Sequence, residues 1–126
     1  MTPPPLSPSD LLSSLLSQLP PKEHARFIEA VDGLHHTNHR LWLAEDGVRV
    51  DLADTVRIAD GKRVIDQLNM DRVRFAERLD ELIGSVCPPM TTATPLHTEP
   101  ISSVIDRLSV TVLRLHHTQR AVVDDP

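Results

Sequence analysis

Residues 22–49 read KEHARFIEAVDGLHHTNHRLWLAEDGVR. The stretch holds no proline, and Phe27, Ile28, Val31, Leu34 and Leu41 recur at the spacing of one helical face. At about 100° per residue, His35, His39, Trp42, Asp46 and Arg49 continue the same arc, with Asn38 and Glu45 on its shoulder. His36 and Arg40 point elsewhere. The polar residues therefore prolong the apolar stripe instead of opposing it. A stripe of this kind carries charge towards an interior, where an unpaired ion is costly, so partners are expected on other elements.

Working outward, the eleven prolines set the boundaries. Pro3, Pro4, Pro5 and Pro8 make a stiff leader, read as disordered over residues 1–8, ahead of a single helical domain over 9–126. Residues 9–19 form a short leucine-rich helix capped by Ser9 or Asp10. Leu11, Leu12, Leu15, Leu16 and Leu19 form its stripe, of which Leu11, Leu15, Leu16 and Leu19 pack on the same chain or on a twin, which makes a homodimer the expected assembly. Pro20-Pro21 opens the helix of residues 22–49. A third helix spans 52–83, with Asp51 or Asp54 as cap and Gly84 as stop signal. Residues 84–97 form a long proline- and threonine-rich loop. A fourth helix spans 99–123, with Thr98 as cap and Pro100 in its first turn. The pattern predicts an all-α fold: an antiparallel bundle of three long helices plus the short first one.

The fourth helix is apolar nearly all round, from Ile101, Val104 and Ile105 to Leu113 and Leu115, the pattern of a central helix. One of its faces carries Asp106, Leu113, His117 and Arg120, with Ser109 beside them. On the third helix Val64, Leu68, Phe75, Leu79 and Leu82 form a core stripe. Lys62, Asp66, Asn69, Val73, Glu77 and Asp80 form the opposite one, which reads as a solvated face on spacing alone.

Composition narrows the function. The chain has 126 residues, 40% hydrophobic and 2% aromatic, with a formal net charge of −5. Few rings and an acidic balance argue against nucleic acid and anionic membrane as partners. Cys87 is the single cysteine, which excludes an intrachain disulfide and suits the cytoplasm. No apolar run has the length of a membrane span.

Several strings occur in a fixed order. They are Leu34-His35-x-x-Asn38-x-x-Leu41-Trp42-x-x-Glu45-Asp46-x-x-Arg49, Lys62-Arg63-x-Ile65-Asp66-x-Leu68-Asn69-x-x-Arg72 with Glu77 and Asp80, Thr98-Glu99, and Ile105-Asp106-Arg107-Leu108-Ser109 with Leu113-Arg114-x-x-His117. Together, over residues 34–117, they resemble the bacterial domain-of-unknown-function family 4254. The resemblance implies an all-helical cytosolic bacterial protein whose signature is these polar positions. It carries a hint of small-molecule biosynthesis, and no activity. It also turns Asp66, Asn69 and Arg72 towards the interior. The chain departs from the family's pattern at Leu43-Ala44, His97 and His116.

Three chemistries compete for these residues. His35 and His39 have the i, i+4 spacing of two imidazole ligands, with Glu45, Asp46, Asp66, Glu99, Asp106 and His117 as further donors. The paired Glu-x-x-His signature of di-iron bundles is absent, so no metal and no cofactor is expected. A metal-free site would use His117 and His35 with Glu45, Asp46, Asp66 and Asp106 as acid/base groups. Arg49, Arg72 and Arg107 would hold a small anionic ligand, with Asn38, Trp42, Asn69 and Glu99 around it. The first expectation is therefore a small cytoplasmic biosynthetic protein with an inter-helix ligand site and metal-free acid/base chemistry. The alternative is a non-catalytic accessory protein whose charge network fixes helix register and whose apolar surface binds a partner enzyme.

Overall fold

A computed structural model describes residues 7–50, 53–86 and 99–124. Its regular elements are all helices: α1 (Pro8–Leu11), α2 (Ser13–Leu16), α3 (Pro21–Val50), α4 (Thr55–Val86) and α5 (Ile101–Asp124). The three long helices pack on one another, and α1 and α2 pack on α3.

The expected first helix is two separate turns. Ser7 caps α1 in a capping box with Asp10, and the helix stops at Leu12, whose backbone leaves helical geometry. The serines that follow favour caps over helix interiors. Ser7 and Pro8, assigned to the leader by the sequence reading, instead open α1, and Pro8 is buried. The rest of the leader lies outside the described residues. Ser9 Oγ donates to Asp32 on α3 at 2.9 Å. Leu16 is buried in the core with Leu12 and Leu19 packed beside it, so these leucines pack on their own chain.

The ends of the long helices are tied by side chains. Asp54 Oδ1 accepts the Arg57 N–H at 3.0 Å and caps α4, whereas Asp51 lies outside the described residues. Arg57 Nη1 donates to the Gly47 carbonyl at 2.5 Å, satisfying one of the last open acceptors of α3. Gly84 does not stop α4, which runs on to Val86 without any left-handed residue. At the start of α5, Asp80 of α4 accepts from the Ser102 N–H at 3.0 Å and from Ser102 Oγ at 2.7 Å. A carboxylate from a neighbouring helix thus serves the orphan donors and the positive end of the dipole there. Thr98, the expected cap, and most of the expected loop lie outside the described residues.

The core cluster joins Leu16, Phe27, Ala30, Val31, Leu34, Leu79 and Ile105, flanked by Ile28, Phe75, Leu82, Ile83 and Ile101. Each large side chain there contributes about 1.5–3 kcal/mol by leaving water. The central helix is α3, not α5. It buries Phe27, Ala30, Val31, Leu34, Thr37, Asn38 and Leu41, whereas α5 leaves Val104 and Leu115 exposed. The all-round apolar pattern of α5 includes an outer strip that the described residues do not cover. Two glycines permit close approach of α3 and α4: an added Cβ would lie 2.3 Å from the Phe75 ring at Gly33 and 2.6 Å from Val48 at Gly61.

Candidate functional site at the seam of α3 and α5

One face of α3 supplies His35, Asn38, His39 and Trp42 because they sit three, four and seven residues apart. The facing residues of α5 are Asp106, Ser109, His116 and His117, and α4 adds Arg72. Two groups form along this seam.

The inner group is a polar layer. Arg72 donates to both Asp106 oxygens, from Nε to Oδ1 at 2.8 Å and from Nη2 to Oδ2. Asn38 Nδ2 donates to Asp106 Oδ1 and to Ser109 Oγ, both at 3.0 Å. Ser109 Oγ lies 2.8 Å from His35 Nδ1. Burial alone would raise the Asp106 carboxyl, but the hydrogen bonds from Arg72 and Asn38 and the Arg72 charge outweigh it and hold its pKa below the usual value. The bond to Asp106 in turn raises Arg72, despite burial, with Glu45 adding to the effect. His35 is lowered by burial first and by the nearby His39 second. With both Nδ2 hydrogens spent, the buried Asn38 retains an acceptor, Oδ1, that has no partner among the described residues.

The outer group is aromatic. Trp42 stacks on His117 with centroids 4.6 Å apart and planes 7° apart. His39 and His116 lie 5.9 Å and 5.4 Å from the same imidazole. Burial holds His117 below its ordinary pKa, and His116, His39 and Arg120 push the same way while Asp46 opposes them. Its Nε2 is sheltered and has no partner among the described residues. The result is a neutral imidazole at pH 7, able to take or pass a proton.

Of the residues singled out in the sequence, His35, Asn38, Trp42, Arg72, Asp106 and His117 meet at this seam. Glu45, Asp46 and Arg49 do not face inward. They are exposed, and the Arg49–Asp46 pair at 4.0 Å lies within α3. Glu45 reaches Arg72 and Asp46 reaches His117 only through their charge, and neither makes an ion pair with another helix among the described residues, so those charges keep their water. Asp66 and Asn69 are exposed on the solvated face of α4, against the inward placement that the resemblance implied. Arg107 bonds Glu99 at 2.8 Å on the surface, well along α5 from His117. The three arginines expected to grip one anion thus stand apart, and Arg72 is already engaged by Asp106.

Sequence reasoning missed three arrangements. Ser109, set by the helical spacing only beside the polar face, links His35 to Asn38 because it lies at the buried centre of α5. Asp80 was placed on the solvated stripe and caps α5. His39 and His116 join His117, and the His35–His39 and His116–His117 spacings were the available signal. Among the described residues no group of three or more His, Cys, Asp or Glu could hold a metal ion. No helix among them is long and apolar enough to cross a membrane.

Fold and seam together define a small all-helical protein with a hydrogen-bonded polar layer across its interior. Residues 28–125 match the family described as Protein of unknown function (DUF4254), and the chain belongs to that family. Searches of the curated proteins and of the solved structures find no match.

Proposed function

We propose that the chain is a small cytoplasmic protein of biosynthesis that binds a small anionic ligand at the α3–α5 seam, with His117 as its acid/base group. The observation that carries this reading is the sheltered, unpartnered Nε2 of a neutral imidazole backed by Trp42. Arg120, whose charge reaches His117, offers a cation for the anion. Asn38 offers an open acceptor in the polar layer. Arg72 and Asp106 act as positioning residues that hold Asn38 and, through Ser109, His35. The same reading takes the long helices as antiparallel neighbours. The contacts of Gly33 with Phe75, Val48 with Gly61 and Asp80 with Ser102 support it.

Trp42 is the chain's single tryptophan, so its emission reports on His117 directly. Protonated imidazole quenches a stacked indole. Fluorescence should therefore fall on acidification with a midpoint below 6.5, and His117→Asn should abolish the transition. Addition of small carboxylates and of inorganic phosphate should shift that midpoint in the native chain and not in Arg120→Ala. A midpoint indifferent to every anion tried would remove the ligand site.

A second reading, a non-catalytic accessory protein, draws support from the polar layer itself, in which Arg72, Asp106 and Ser109 are all satisfied internally. It expects His117→Ala to leave any partner binding intact.

A further inference from the structure

Away from the seam, α5 carries Val104, Leu108, Thr111, Leu115, Thr118 and Val122 at alternating steps of four and three residues, the spacing of a coiled-coil seam. Val104, Leu115 and Val122 are 42%, 51% and 67% exposed. The two threonines donate their hydroxyls back to Arg107 O and Arg114 O, each at 2.8 Å, so they ask no hydrogen bond of a neighbour. The strip is therefore uncharged and polar-satisfied from Val104 to Val122.

Along α5 itself its border is basic. From Arg107 to Val123 the chain has no carboxylate, while Arg107 and Arg114 sit one residue before Leu108 and Leu115 and so line the same flank. Arg107 is bonded to Glu99, which leaves Arg114 the stronger pole. This basic border stands on a chain whose net charge is −5. We propose that the strip is the docking surface for an amphipathic helix of a partner protein that carries carboxylates beside its own apolar seam. Charge selects this occupant. A second copy laid antiparallel along the strip would bring Arg114 against Arg114.

The test uses the full chain with two synthetic four-heptad peptides. Both carry leucine at the seam positions; one is flanked by glutamate and the other by lysine. Calorimetry should show binding of the glutamate peptide only. Leu115→Asp, at an exposed position, should weaken it about tenfold or more while leaving the circular dichroism spectrum unchanged. Arg107→Glu with Arg114→Glu should reverse the preference towards the lysine peptide. Equal binding of the two peptides, or binding indifferent to Leu115→Asp, overturns the proposal. So does a dimer of the chain alone that Leu115→Asp dissolves in sedimentation, or binding to phosphatidylserine vesicles without binding to either peptide.

Discussion

Two glycines of α3 predict opposite responses to the same substitution. At Gly33 a methyl group would meet the Phe75 ring, itself packed against the core, so Gly33→Ala should lower stability by about 1–3 kcal/mol in urea unfolding. At Gly47 nothing lies within 4 Å of the added carbon, and the same change should raise stability by about 0.5–1 kcal/mol. Asp106 and Arg107, adjacent in sequence, also separate. Asp106→Ala strands the Arg72 guanidinium and takes an acceptor from Asn38, a loss of about 2–4 kcal/mol. Arg107→Ala removes a surface pair and should stay within about 0.5 kcal/mol of the native chain. The inward turn of His35, Asn38, Asp106 and His117 was legible because each continues an apolar stripe. The outward turn of Asp46 and Arg49 was not. A helical wheel tells which way a side chain points but not whether another helix offers it a partner.

At three helix starts the local signal in the sequence held, though Ser7 rather than Ser9 caps α1 and Gly84 does not stop α4. Pro21, Asp54 and Pro100 mark their helix starts in the sequence, and the structure begins α3, α4 and α5 at or just after them. The α5 cap was illegible because Asp80 arrives from α4, far away in the chain. Its role gives a prediction at this scale. Asp80→Ala should cost about 1 kcal/mol, with the loss of amide protection concentrated in the first turn of α5. Asp80→Asn, which keeps an acceptor for Ser102, should recover most of it. The centrality of α3 was illegible for a related reason. An all-round apolar helix is either buried by its own chain or reserved for another, and the α5 pattern is the same in both cases.

For the whole molecule, three depressed pKa values define the response to acid. His35 and His117 are lowered in the fold, so the unfolded chain binds their protons more readily. Their contribution is complete above the ordinary value of 6.5 and is lost as pH falls from there through the lower folded values. Asp106 is lowered as well. Its contribution persists above 3.8 and is lost as pH falls through its folded value. Unfolding free energy measured in urea should therefore be smaller at pH 5 than at pH 7.5. His117→Asn should flatten that slope, while Asp106→Asn should lower stability at both pH values and change the slope only below 3.8.

The row from Arg72 to His35 also divides the interior. On one side lies the sealed cluster around Phe27, Leu34 and Leu79; on the other, Leu41, Leu68 and Leu113 are buried while Leu43, Val64 and Leu115 meet solvent. A hydrophobic core interrupted in this way has two cooperative units with unequal lifetimes. Deuterium should reach the amides flanking Leu41 and Leu113 through a partial opening, while those around Phe27 and Leu79 wait for the whole chain to come apart.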